Sequence, residues 1–200
     1  MLRRELNLLN HIVYFPIFVY LIAFVSLIFV KNLLIVEVLI VPLISWWTVW
    51  AVNEYIQDYN FDLLSTYPNL HLKYNYWRIF TLSIFHFLVL TLVLLIFYSN
   101  NFISLWIQYT CQILVFSGFS LLLLILIKNV EATLCIIIIY IVGEWFGLSK
   151  IIIWYHAFYF YSDPAPISLI IDKAILNALV GWGGFVLFHY IMKLRIKGFF

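Results

Sequence analysis

Long apolar segments separated by very short polar breaks run through most of the 200-residue sequence. A helix needs about 20 apolar residues to cross the hydrocarbon core of a bilayer, and the segments reach that length. Barrel strands are excluded, because they alternate in stretches of about 10 residues. We therefore predict an all-α polytopic membrane protein. Its six transmembrane helices are expected at about 12–30, 33–52, 77–98, 102–127, 130–148 and 174–192.

The composition leaves little room for a soluble domain. Hydrophobic residues make up 66% of the chain, charged residues 10%, and the mean hydropathy is +1.07. We expect residues 1–200 to form a single transmembrane domain, with 1–11 as a short basic lead-in on the membrane surface. Cys111 and Cys135 lie inside apolar segments and predict neither a disulfide framework nor a metal site. The net charge of +2 gives no indication of a nucleic-acid partner, and none is expected.

The basic residues predict the orientation. With the N-terminus in the cytoplasm, six spans place eight basic residues inside and three outside, as the positive-inside rule favours. The predicted localisation is therefore the plasma membrane, multi-pass, with both termini cytoplasmic. The inside set is Arg3, Arg4, Lys73, Arg78, Lys128, Lys193, Arg195 and Lys197, and the outside set is Lys31, Lys150 and Lys173.

The stretch 53–69, which reads NEYIQDYNFDLLSTYPN, is the longest one that a bilayer core would exclude. On a helix its apolar residues, such as Ile56 and Leu63, fall on one side and its acids on the other, which is typical of an amphipathic interfacial helix. Phe61 lies among the acids and faces water or a partner protein. Pro68 is expected to end this helix, because proline disfavours the α conformation in the residue before it. A solvated helix that only connects two spans is an equally simple interpretation.

The stretch 149–173 is apolar and aromatic but is interrupted by Ser162-Asp163-Pro164-Ala165-Pro166. The interruption comes too early for a full span on either side. We therefore predict two short helices that dip into the outer interface as a re-entrant hairpin. Irregular backbone at that depth must be covered by protein or open to a water-lined cavity.

The predicted architecture resembles the type-2 ABC exporter permease family, which has six spans, cytoplasmic ends, an amphipathic helix between spans two and three and a re-entrant hairpin between spans five and six. Family members also carry an acidic residue at the end of the second span, followed by a block like Thr-Leu-Glu-Leu-Leu and a proline. Glu54, the block FDLLSTY at 61–67 and Pro68 are similar to that text. The basic and glycine residues usual after the acid are replaced here by residues 55–60.

The resemblance implies a permease subunit that moves a substrate across the membrane, powered by separate ABC ATPase subunits that carry ATP and Mg²⁺. A second permease chain, identical or different, would complete the path. The sequence has no G-x-x-x-x-G-K-[ST] loop, so neither ATP hydrolysis nor a cofactor is expected in this chain. By resemblance, 53–69 is the coupling helix that docks on the ATPase. Its expected contact residues are Glu54, Asp58, Phe61, Asp62, Leu64 and Pro68.

No catalytic motif competes with this interpretation. The metalloprotease motif H-E-x-x-H is absent, and the five histidines are isolated in the sequence. His11 and His189 approach the cytoplasmic leaflet and are the candidates for two haem ligands, whereas lone histidines are more often hydrogen-bonded to a neighbour.

Small residues predict close helix contacts in two spans. The run from Ser117 to Ser120 is superficially similar to a membrane serine protease, but small residues at a helix contact explain it more simply. Three glycines in the last span predict a second close contact: Gly181, Gly183 and Gly184.

Two carboxylates, Glu37 and Glu144, lie within apolar segments near the outer leaflet, where an ionised carboxylate is costly unless it is paired or wet. As path-lining residues they would form a polar patch at the outward end of a transport path. The competing interpretation is that each reaches the interface or pairs with a nearby lysine, Lys31 or Lys150.

A function of a different class also fits the composition. The leading alternative is a non-transporting membrane partner, such as an assembly or immunity subunit of another membrane protein. Co-purification of an ATPase separates the two classes.

A path lined mostly by Ile, Leu and Phe indicates an amphipathic or lipid-like substrate, and a hydrophobic peptide, a drug or a lipid-linked molecule all qualify.

Overall fold

The computed structural model describes residues 14–56, 68–147, 155–161 and 163–196, and within these ranges the regular structure is helical throughout. The prediction of an all-α protein is confirmed there. The helices are α1 (Tyr14–Val30), α2 (Leu33–Ile35), α3 (Leu43–Ile56), α4 (Pro68–Phe97), α5 (Phe102–Ile127), α6 (Val130–Trp145) and α7 (Ile167–Ile196). A π-helical turn, Val36–Ile40, lies between α2 and α3, and a 3-10 turn, Ser99–Asn101, precedes α5.

Four helical segments of the described part are long and apolar enough to cross a membrane, which makes this a membrane-embedded protein. They are Leu33–Asn53, Tyr76–Phe97, Ser99–Ile127 and Ile167–Arg195. Two further helices are shorter than these four segments: α1 has 17 residues and α6 has 16. A helix of that length extends about 25 Å, against about 30 Å for the hydrocarbon core.

Two Lys-Asn pairs make the same tight turn between helices. Lys31 and Lys128 adopt the left-handed conformation, with φ of 47° and 59°, and end the preceding helix. The side chains of Asn32 and Asn129 each accept a hydrogen bond of 2.9 Å from a backbone N–H of the next helix, and so cap its N-terminus. The predicted breaks at both pairs are confirmed.

The helical segment Leu33–Asn53 and α5 form the centre of the molecule. Their most apolar windows are 67% and 56% buried, against 33% for α4 and 28% for α7. The outer helices expose large apolar side chains, such as Leu88 on α4 and Leu179 on α7. Exposed apolar faces on long helices are what lipid contact requires.

The backbones of α5 and α7 touch, because glycine lies at the contact on both helices. A Cβ atom on Gly181 would lie 2.4 Å from the carbonyl carbon of Leu114, and one on Gly118 would lie 2.2 Å from the carbonyl oxygen of Gly181. Gly184 meets the backbone of Gly118 in the same way. The predicted close contact is confirmed for these residues. It is wrong for Gly183, which faces open space.

Two helix boundaries around the stretch 53–69 differ from the prediction. α3 continues to Ile56, so the first four residues of the stretch are its last turn. α4 begins at Pro68, so this proline starts a helix, a position where its missing N–H costs nothing. Residues 70–76, which lie between the stretch 53–69 and the predicted span 77–98, are therefore helical.

The predicted outer hairpin also differs. Residues 155–161 are not helical, and α7 begins at Ile167, directly after Pro166. The second short helix predicted within 149–173 is thus the start of α7, because a proline before the first turn permits a helix there.

Several predicted positions lie outside the described residues. These are the lead-in 1–11 and the coupling residues Asp58, Phe61, Asp62 and Leu64. Glu54 lies in the last turn of α3.

Candidate functional site

Glu37 lies where the helical segment Leu33–Asn53 departs from α-helical geometry. Pro42 has no backbone N–H, and its ring would clash with the carbonyl four residues earlier, so a regular helix cannot pass through it. Residues Val36–Ile40 form a π-helical turn instead, in which the N–H of Val41 donates to the carbonyl of Val36 at 3.0 Å. Such turns are frequent at functional sites. This one carries Glu37, whose side chain is only 1% exposed.

The carboxylate of Glu37 accepts three hydrogen bonds. Its Oε1 accepts from Nε2 of Gln112 and from the backbone N–H of Tyr159, both at 2.6 Å. Its Oε2 accepts from the backbone N–H of Phe160 at 3.0 Å. Tyr159 and Phe160 belong to the non-helical segment 155–161, whose backbone lacks helical partners. A buried carboxylate therefore satisfies backbone donors that would otherwise remain unpaired in an apolar environment.

Side chains from three further helices hold the same segment at Ala157. Its carbonyl oxygen accepts from Nε2 of Gln112 on α5 at 3.0 Å and from Nδ2 of Asn177 on α7 at 3.1 Å. Its N–H donates to the Tyr140 hydroxyl on α6 at 3.0 Å. Ala157, Phe158 and Tyr159 are all buried. The expectation that irregular backbone here is covered by protein is confirmed for these three residues.

Lys173 on α7 is the ammonium group of this cluster. Its Nζ donates to the carbonyl of Phe158 and lies 4.5 Å from the ring centroid of Tyr159. Its charge acts on both Glu37 and Glu144. The lysine that compensates Glu37 is therefore Lys173, and the interpretation that Glu37 pairs with Lys31 is wrong.

Glu144 lies in the last turn of α6 and is 2% exposed. Neither of its carboxylate oxygens has a partner at normal hydrogen-bond distance and angle within the described ranges. The Tyr140 hydroxyl, one turn earlier, is its hydrogen-bonding neighbour at longer range, and the Lys173 ammonium acts on it through its charge. Lys150, the partner that the competing interpretation assigned to Glu144, lies outside the described residues.

His156 adds no charge to the cluster at neutral pH. Burial, and then the nearby charge of Lys173, lowers the pKa of its imidazole below the usual value, so the ring is neutral at pH 7. The described part of the cluster therefore combines two carboxylates, Glu37 and Glu144, with one ammonium, Lys173.

The sequence analysis missed the amides and the proline that build this site. Gln112 and Asn177 are isolated polar residues within long apolar segments, and Pro42 interrupts another such segment five residues after Glu37. Their positions could have indicated the site, because a polar side chain within a membrane helix usually faces protein and not lipid.

Two histidines are hydrogen-bonded to tyrosines, as the simpler interpretation of isolated histidines predicts. His86 Nδ1 lies 2.6 Å from the hydroxyl of Tyr20, which also accepts from Trp47 Nε1 at 3.0 Å. His189 Nδ1 lies 2.6 Å from the hydroxyl of Tyr76. In the residues that the structure describes, no three His, Cys, Asp or Glu side chains form a group that could hold a metal.

Comparison with family models, curated proteins and solved structures finds no match to this chain.

Proposed function

We propose that this chain is the transmembrane permease subunit of an ATP-driven ABC exporter and forms half of its translocation path. The observation that carries the proposal is Glu37, a buried carboxylate on a broken helix that binds the backbone of a non-helical segment. Membrane transporters build their binding sites at such breaks, where freed backbone groups and ionisable side chains meet. A helix bundle that only anchors a partner has no need of a broken helix and a non-helical segment, with the costly buried charge that holds them together.

In this proposal α1 and α6 cross the membrane together with the four longer segments. Apolar residues adjoin both helices in the sequence, so the predicted spans 12–30 and 130–148 are longer than the helices themselves. Six crossings in the plasma membrane bring both chain ends to the cytoplasmic side, where the eight basic residues of the inside set are favoured.

The energy would come from separate ATPase subunits, and 53–69 is the proposed docking element. The ends of α3 and α7 meet where this element begins, because Nη1 of the buried Arg195 donates to the carbonyl of Ile56 at 3.1 Å. A movement imposed on 53–69 would thus be passed directly to α3, which begins shortly after the π-helical turn at Glu37, and to α7. ATP-driven closure of the ATPase pair would rock these helices between inward and outward states.

Phe61→Ala and Asp62→Lys are expected to release the ATPase while the chain still inserts into the membrane. A central aromatic anchor contributes about 2 kcal/mol or more to an interface, so its loss weakens association by roughly thirtyfold. A lysine at position 62 places like charges at the contact if the ATPase groove is basic. The measurement is co-purification of the tagged chain from its native membranes, with the ATPase identified by a G-x-x-x-x-G-K-[ST] peptide.

Asp172→Lys is the matched control, because Asp172 is exposed near the start of α7, at the opposite end of that helix from Arg195. It should retain the ATPase at the wild-type level. If both Phe61→Ala and Asp62→Lys still co-purify with the ATPase, then 53–69 is only a connecting segment. A wild-type chain that brings down no ATPase would favour the non-transporting membrane partner.

A further inference from the structure

A groove of about 680 Å³ runs along the outside of the bundle, between α4 and α7, with α5 as its floor. Its lining residues recur every three or four positions, so they lie on one face of each helix. On α4 they are Tyr76, Ile79, Phe80, Ser83 and Phe87, and on α7 they extend from Trp182 to His189. Phe80, Trp182 and Val186 are more than half exposed, so the groove opens to the outside of the bundle.

The groove has the length of one leaflet of a bilayer. Its residues on α4 extend from Tyr76 to Phe87, which at about 1.5 Å per residue corresponds to about 16 Å. Half of the hydrocarbon core is about 15 Å thick. Tyr76 is the first residue of the segment Tyr76–Phe97, which is long enough to cross the membrane. The groove therefore begins at the membrane boundary and ends near the middle of the bilayer.

The boundary end of the groove is polar. The Tyr76 hydroxyl lies 2.6 Å from Nδ1 of His189. When the tyrosine donates this bond, the neutral imidazole keeps its proton on Nε2, from which it can donate to a ligand. The deeper wall is apolar apart from Ser83 and Ser117, and the Ser117 hydroxyl donates to its own helix, at the Leu114 carbonyl, at 3.1 Å.

A positive charge lies next to the polar end. Lys193 is exposed and follows His189 by one turn on the same face of α7. The sequence of α4 contains no acidic residue, and the one in α7, Asp172, lies near the opposite end of that helix. Basic pockets between membrane helices near the surface attract anionic lipid headgroups.

We propose that this groove binds one acyl chain of an anionic phospholipid, with the chain against α5 and the phosphate beside His189 and Lys193. The proposal goes beyond the transport function and does not depend on it. Spread along about 16 Å, the volume of the groove gives a mean cross-section of about 40 Å², against about 80 Å² for a helix about 10 Å across. The groove therefore admits an extended chain but not a helix of a second copy.

The test uses the purified full chain in detergent and two added lipids with identical acyl chains. Dioleoylphosphatidylglycerol has an anionic headgroup, and dioleoylphosphatidylcholine has no net charge. Native mass spectrometry, with the two lipids at equal concentration, measures how much of each one-to-one complex forms. We expect the wild-type chain to retain the anionic lipid about fivefold more, the ratio that about 1 kcal/mol from one basic residue gives.

Lys193→Gln should remove most of this preference and leave binding of phosphatidylcholine unchanged, because the apolar wall is intact. Lys31→Gln is the control, since Lys31 is an exposed basic residue in the turn between α1 and α2, and it should behave as wild type.

Ser83→Phe places a ring inside the groove and should weaken retention of both lipids together. Val186→Trp narrows the same groove from α7 and should act in the same way. Leu88→Phe is the matched control on α4, because Leu88 is exposed and does not line the groove, so both lipids should be retained.

Equal retention of the two lipids by the wild-type chain would overturn the proposal, even if no variant folded. A preference that survives in Lys193→Gln, or full retention of both lipids by Ser83→Phe and Val186→Trp, would overturn it as well. So would a wild-type dimer that dissociates on Ser83→Phe, because a second copy would then occupy the groove. None of these measurements involves the ATPase, so their failure leaves the permease function standing.

Discussion

Glu37→Gln is expected to destabilise the protein by about 3 kcal/mol, because the substitution removes one partner from a buried charged network. The carboxylate accepts from three N–H groups, one from Gln112 and two from the backbone at Tyr159 and Phe160. A glutamine presents an amide NH₂ group toward at least one of these donors. The charge of Lys173 also loses its main counterpart. Unfolding by SDS titration in mixed micelles measures the change.

A double-mutant cycle with Lys173→Met separates the network from a general loss of packing. Each single variant leaves a charge uncompensated, whereas the double variant removes both, so its destabilisation should be smaller than the sum by about 1 kcal/mol or more. Asp172→Asn is the control, since Asp172 is exposed and adjacent to Lys173 in the sequence. Additive effects of Glu37→Gln and Lys173→Met would show that the two charges do not stabilise each other.

Gly181→Ala is expected to separate α5 from α7 and to cost about 3 kcal/mol of stability. The new Cβ would lie 2.4 Å from the carbonyl carbon of Leu114, and the obstacle is backbone, which cannot move aside as a flexible side chain can. Since α5 and α7 also carry Gln112 and Asn177, the shift would disturb the anchors of Ala157.

Gly183→Ala is the matched control on the same helix. Nothing lies within 4 Å of a Cβ at this position, so alanine should be neutral or stabilise α7 by up to about 1 kcal/mol through its helix propensity. Thermal unfolding in detergent measures both variants. Equal melting temperatures for Gly181→Ala and Gly183→Ala would contradict the assigned contact.

The helix boundaries that sequence reasoning predicted well are those with local chemical causes. Lys128-Asn129 ends α5 at Ile127 and starts α6 at Val130, and both bounds match the prediction. The pair Lys31-Asn32 acts in the same way. Prolines were less informative. Pro68 was expected to end a helix and is instead the first residue of α4, and Pro166 was expected to interrupt the stretch 149–173 and directly precedes α7.

The site could be predicted only in part, because its contacts are distant in sequence. Glu37 and Glu144 were identified from the cost of placing a carboxylate in an apolar segment. The partners of Glu37 lie 75 residues away at Gln112 and 122 residues away at Tyr159, and no periodicity links positions so far apart. The role of Lys173 was likewise hidden, since the charge pattern indicated only the side of the membrane.

Photo-crosslinking from position 61 tests most directly whether this chain is driven by a separate ATPase. Phe61 is replaced by p-benzoylphenylalanine, intact cells are irradiated, and the adducts of the purified chain are identified by mass spectrometry. The same replacement at Phe146, which is 84% exposed at the end of α6, is the control. We predict an adduct with a protein that carries the G-x-x-x-x-G-K-[ST] loop from position 61 and none from position 146. Adducts from position 61 that contain only lipid, or only proteins without that loop, would contradict the proposed function.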